Sequence, residues 1–211
     1  MTNNFKSIFN KISLLFSGEK SGHDVKHLRR VYKYAMKIQK IEGGDSYIIG
    51  TSALVHDIHR LMSNEAGHFV TPEESLQAIQ KILKECGCDK RKISAILEVV
   101  KNHEDKQNKN VSLETLIVQD ADALDAIGKI GLERTKKYCK EHGIPITNTK
   151  YSLNTKKYIP DVNPISACHY IKRTMIPNGK NLYTKTAQQL AKNKIKVLEN
   201  FLARKLKEKK A

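Results

Sequence analysis

The 211-residue chain is 39% hydrophobic and 28% charged, a balance typical of a soluble globular protein and unlike that of a disordered or low-complexity chain. No apolar run approaches the ~20 residues of a membrane span, and the start MTNNFKSIFNKISLLFSGEK has neither a signal-peptide core nor a small-residue cleavage site, so a cytoplasmic, single-domain protein is expected. The net charge of +16 is uneven: from Lys150 to Ala211 fifteen Lys or Arg stand against three acids, a positive field that attracts anions without choosing among nucleic acid, nucleotides and acidic lipid.

In chain order, the first stretch reads as an amphipathic helix. A second helix begins near Ser21 to Asp24, carries Leu28, Val31, Ala35 and Ile38 at helical spacing, and ends at Gly43-Gly44. The segment YIIGTSALVHDI predicts a third helix, so apolar that it must be central. SNEAGHFV reads as a loop. Thr71-Pro72-Glu73-Glu74 has the form of a capping box with Pro at the first helical position, opening a helix that runs to Cys86-Gly87. Another helix starts at about Asp89 and continues through ISAILEVVKNH, and the polar EDKQNKN is a loop. SLETLIVQDADALDAIGKIGLERTKKY is the next helical region.

Residues 141–163 are rich in Asn, Thr, Pro and Lys and predict a long loop or lid. ISACHYIKRTMI and TKTAQQLAKNKIKVLENFLARKL predict C-terminal helices, over 164–207, packing on a core of about 20–140. The end of the chain, ARKLKEKKA, reads as a solvated tail. No stretch alternates like a strand, so the fold class expected is an all-α bundle spanning 1–211 as one domain. Cys86, Cys88, Cys139 and Cys168 form no C-x-x-C pair and read as reduced thiols.

A polar residue on an apolar helix face must find a partner. His27 shares its face with Val31, Tyr34 and Ile38. His56 and Asp57 close the most apolar helix. Asp120 shares a face with Leu124 and Ile127, whereas Asp122 and Asp125 point elsewhere on the wheel. Two imidazoles and two carboxylates facing inward from three helices are the donor set of a divalent metal site.

The motifs H-x-x-R-V at 27–31, ALVHDI at 53–58 and IVQDADALDAIG at 117–128 together resemble the HD superfamily of metal-dependent phosphohydrolases, from about Gly22 to Arg134. The stretch DADALDAIGKIGLERT looks like the subgroup of small bacterial and archaeal HD hydrolases. The resemblance implies the α-helical HD bundle and places His27, His56, Asp57 and Asp120 as ligands of one divalent ion, Mn²⁺, Mg²⁺, Fe²⁺ or Ni²⁺. It implies hydrolysis of nucleotides, as in nucleoside triphosphate pyrophosphohydrolases, by water acidified at the ion, with Asp57 also orienting that water.

Some relatives carry a proton-donating acid where Arg60 stands, so Arg60 is expected to hold phosphate instead. His103, at a position where the family often has His, is expected to donate a proton or contact phosphate. Arg30 supports a carboxylate ligand or substrate, Lys101 and Lys106 line the mouth, and His23 touches substrate from the rim, while Ser21 or Asp24 caps the second helix. The partner implied is a small-molecule nucleotide. Two alternatives stand beside it: a phosphodiesterase acting on cyclic nucleotides or RNA, and a non-enzymatic nucleic-acid-binding module.

Overall fold

Helix α1 (Asn3–Leu15) turns Phe5, Ile8 and Ile12 inward, one apolar residue per turn, and Phe16 follows them into the same core. This is the first element of a computed structural model that describes residues 3–19, 22–108, 110–159 and 163–208. Among the described residues the regular structure is helical, with one isolated β-bridge between Ile159 and Asn163. The chain forms two compact units, Met1–Asp122 and Ala123–Ala211.

In the first unit α2 (Val25–Glu42) buries His27, Leu28, Val31, Ala35 and Ile38. Asp24 caps it by accepting from the His27 amide at 2.8 Å, and Gly43, with φ 88°, ends it. Ser21, the other candidate cap, lies outside the described residues. Helix α3 (Ser46–Val55) is buried continuously from Ile49 to Val55, because a helix apolar all round must be covered on every side. It packs against α1, α2 and α6 (Lys90–Asn102). Gly50 lets it do so: a Cβ there would stand 2.9 Å from the Phe5 ring.

The expected single helix through YIIGTSALVHDI is interrupted. Asp57 leaves helical geometry (φ −93°, ψ 11°), and a new helix, α4 (Ile58–Ala66), starts after it and runs into the expected SNEAGHFV loop before Gly67 stops it. At Thr71 the capping box is present: the Thr71 amide and hydroxyl donate to Glu74 Oε2 at 2.7 Å each, and the Glu74 amide donates to Thr71 Oγ1 at 3.2 Å. Helix α5 (Leu76–Glu85) follows and packs on α6. Ile79, Leu83, Ile93, Ile96 and Val100 join Leu28, Leu54 and the α1 side chains in one apolar cluster.

Helix α7 (Leu113–Asp125) carries the division between the units, after Asp122. In the second unit α8 (Gly128–Glu141) begins at a glycine with φ 78°, so the expected helical region consists of two helices. A Cβ at Gly131 would stand 2.0 Å from the Ala126 carbonyl oxygen, and that close approach is what the second glycine of IGKIG permits. α8 packs on α11 (Lys185–Glu208), which also covers α10 (Ile176–Lys180).

Among its described residues the segment expected as a loop is non-helical up to α9 (Ala167–Tyr170), and α9 is joined to α10 by a π-helical turn at Ile171–Met175. Buried His169 holds this segment. Its Nε2–H donates to the Ser152 carbonyl at 3.0 Å, and Nδ1 accepts from Ser166 Oγ at 2.7 Å. Residues 160–162 of the expected lid and 209–211 of the expected tail lie outside the described residues.

Candidate metal centre

The break between α3 and α4 sets His56 and Asp57 at the inner end of the most buried helix, and α2 brings His27 against them. His27 Nε2 lies 3.4 Å from His56 Nε2 and 3.0 Å from Asp57 Oδ2, and His56 Nε2 lies 3.3 Å from the same oxygen. The helix α7 adds Asp122, whose Oδ1 is 3.5 Å from His27 Nε2 and 4.0 Å from His56 Nε2. Ligands about 2.1 Å from one ion are separated by about 3.0 Å at octahedral edges and about 3.4 Å at tetrahedral ones, so the two imidazoles with either carboxylate have spacing of the size found around a divalent cation.

The donor chemistry fits as well. His56 Nδ1–H donates to the Ala53 carbonyl at 3.1 Å, which fixes the tautomer and turns the Nε2 lone pair towards Asp57. Burial alone would lower the His56 pKa, but the Asp57 carboxylate beside it raises the value above the ordinary one. Burial alone would raise Asp57, yet the charge of His56 and bonds from His23, His27 and His56 hold it well below the usual carboxylate range. The field that favours a proton on His56 favours a metal cation between the same groups.

The sequence-derived candidates fall into place unevenly. His27, His56 and Asp57 converge as expected from their faces. Asp120 is buried on the same helix, and Asp57 and Asp122 stand at ligand-like distances from the two imidazoles. α7 is covered on nearly every side from Thr115 to Asp125, Leu116 and Asp122 being the half-open positions. The apolar face used to select Asp120 therefore does not single out a direction. Asp122, 36% exposed at the side chain, sits where a ligand is also reachable from solvent.

His23 does not stand free at a rim: its Nδ1–H donates to Asp57 Oδ2 at 2.7 Å. His103 is buried with its ring 5.1 Å from that of His56. Its Nδ1–H donates to the Val100 carbonyl at 2.6 Å, so Nε2 presents an acceptor, the reverse of the proton donor expected. Burial, and next the nearby charge of His56, push its pKa down to about 4.

Arg60 is half-buried, bonds Glu104, and keeps its Nε 4.0 Å from Asp57 Oδ1. Arg30 is half-buried on α2 and Lys106 exposed after α6. Lys101 is exposed and bonds Glu73 at 2.7 Å. Glu104 joins the neighbourhood without a sequence signal beyond its adjacency to His103, whereas His59 lies one turn after His56 in the sequence.

Comparison with known proteins agrees with this geometry. The HD domain model matches residues 24–127. YpgQ of Bacillus subtilis, described as an uncharacterized protein, is 29% identical over 140 residues, covering 63% of this chain and 66% of YpgQ, just under two thirds of its length. An HD-superfamily hydrolase of Bacillus thuringiensis superposes with a TM-score of 0.77 at 25% identity, over 98% of this chain and 97% of its own. YpgQ in complex with ADP shares the fold, with a TM-score of 0.73 at 22% identity over 97% and 94% of the two chains. With its His56-Asp57 pair at the centre of a His-Asp cluster and the domain match spanning that cluster over just under half of the chain, the chain resembles the HD superfamily.

Proposed function

We propose that this chain is a (deoxy)nucleoside triphosphate pyrophosphohydrolase whose ion is held by His27, His56, Asp57 and Asp122. The carrying observation is the convergence of these four groups, with ligand-like spacing, beside a partly open arginine. The ADP complex of YpgQ supports a nucleotide as substrate, and the net charge of +16 suits a polyphosphate. A divalent cation supplies Lewis acidity for a phosphoryl oxygen and acidifies water.

The chain's own groups supply the rest. The Asp57 carboxylate, held ionised, orients water by accepting its hydrogen bond. Arg60, anchored by Glu104, offers remaining guanidinium hydrogens to phosphate oxygens, where its planar fork gives two parallel bonds. His103 faces the same region with an acceptor nitrogen.

The test is incubation of the purified protein with a panel of nucleoside triphosphates and Mn²⁺, with separate assays for phosphate and pyrophosphate. Pyrophosphate with a nucleoside monophosphate is expected. Phosphate alone, or neither product, overturns the reading. Cleavage of RNA that weakens steeply with added salt would favour the phosphodiesterase alternative.

A further inference from the structure

One exposed apolar side chain is ordinary on a protein surface. Phe69 differs in what it stands beside and in how firmly its place is set. It is 59% exposed, while the next residue, Val70, is buried. The loop that carries both is fastened to α4. The Ser63 hydroxyl donates to the His59 carbonyl at 2.8 Å and accepts from the Val70 amide at 2.9 Å. Backbone bonds therefore hold Phe69 next to the turn that bears His59 and Arg60. Its ring stands nearly perpendicular to that of His59, with centroids 6.4 Å apart. The Arg60 guanidinium carbon lies 5.9 Å from the Phe69 centroid.

Arg60 supplies a second, independent observation. Its terminal nitrogen bonds Glu104, but its Nε is buried and, among the described residues, has no hydrogen-bond partner. Asp57 Oδ1 stands 4.0 Å from that nitrogen, too far for a hydrogen bond. A buried charged N–H without an acceptor is costly. A phosphate oxygen would satisfy it, and the Arg60 side chain, one-third open, is reachable from solvent. An anion-seeking donor and an open aromatic ring thus lie side by side. A molecule that satisfies both carries a phosphate and, a short polar link away, a flat apolar ring.

We propose that Phe69 is the platform on which the base of the bound nucleotide stacks while its phosphates meet Arg60, an inference that rests on the nucleotide reading above. The phenyl ring has no hydrogen-bonding group. It therefore registers that a flat base is present and not which base it is, because every base has a π-face. Binding energy from the base adds to that of the phosphates without a contact to the ion.

The test is calorimetric titration of the full chain in Mn²⁺, with ADP and separately with inorganic pyrophosphate, which keeps the phosphates and lacks the base. Phe69→Ala is expected to bind ADP about tenfold more weakly, within the range for one base on an aromatic side chain. It is expected to bind pyrophosphate as wild type does. Phe69→Trp is expected to restore ADP binding. Thermal melts check that each variant is folded. An ADP affinity in Phe69→Ala within about twofold of wild type overturns the proposal. So does a wild type that binds no ADP, and so does failure of Phe69→Trp to restore binding. Equal weakening of ADP and pyrophosphate also overturns it, since the ring would then act only as a support for Arg60. ADP held through Phe69 by a chain that hydrolyses no nucleoside triphosphate would reject the activity and leave the platform standing. Triphosphate hydrolysis with an unchanged KM in Phe69→Ala would do the reverse.

Discussion

Replacing His23 with Ala isolates what the first His-Asp pair does. In the structure His23 reaches the HD site only through Asp57, by a 2.7 Å hydrogen bond from Nδ1 to Oδ2. A bond to a charged group is worth about 1.5–3 kcal/mol. The His23 side chain is 28% exposed, so water replaces part of the bond after truncation, and the lower end of that range applies. About 1.4 kcal/mol corresponds to a tenfold loss of affinity, which agrees with the 10–100-fold range for groups that orient a metal ligand, roughly. Titration of Mn²⁺ into wild type and His23→Ala, by calorimetry or by the EPR signal of free Mn²⁺, should show affinity weakened about tenfold. The KM for nucleotide at saturating metal should stay unchanged, because His23 acts on the carboxylate and not on substrate. A Mn²⁺ affinity within about twofold of wild type, in a variant that melts normally, would refute the reasoning; a twofold change is about 0.4 kcal/mol, well below the bond's value.

Asp122→Asn should abolish the bound Mn²⁺ equivalent, whereas Asp120→Asn should retain it, as bound metal per chain will show; the opposite pattern returns the fourth ligand to Asp120. Asp45 caps α3 by accepting from the Tyr47 and Ile48 amides at 2.9 and 3.2 Å, so Asp45→Ala should cost about 1 kcal/mol and lower Tm by about 2–4 °C for a chain of this size. The same cap predicts a pH dependence. Burial would raise the Asp45 pKa, but the bond from Lys92 and the two amides lower it. Its contribution is therefore full above the ordinary aspartate pKa and lost as pH falls through the lowered one, and Asp45→Asn should flatten that acid limb of the Tm profile. Gly131→Ala would put a methyl group 2.0 Å from a backbone oxygen; the resulting overpacking, about 1–3 kcal/mol or more, should exceed the helix propensity gained, about 1 kcal/mol, and appear as a lower unfolding midpoint in urea.

The helical class, the cap at Asp24, the Thr71–Glu74 capping box and the inward direction of His27 were legible because each rests on local periodicity or on a side chain bonding its own backbone. The break between His56 and Asp57 was not legible. No Gly or Pro marks it, and the apolar pattern runs through it into Ile58; packing in the first unit decides it. The choice among Asp120, Asp122 and Asp125 is not made by the helical wheel, for a related reason. A helical wheel works when one side of a helix meets water, and α7 is covered on nearly all sides.

His59 illustrates the remaining gap. Its sequence neighbours say only that it follows the HD pair by two positions. It faces Glu104, forty-five residues away in the chain and 3.5 Å away in space. The sequence by itself determined which residue types were available and which helices would carry them. Only the tertiary structure decided which lone pairs point at one another, because that depends on the long-range packing of α2, α4, α6 and α7, which no local pattern encodes.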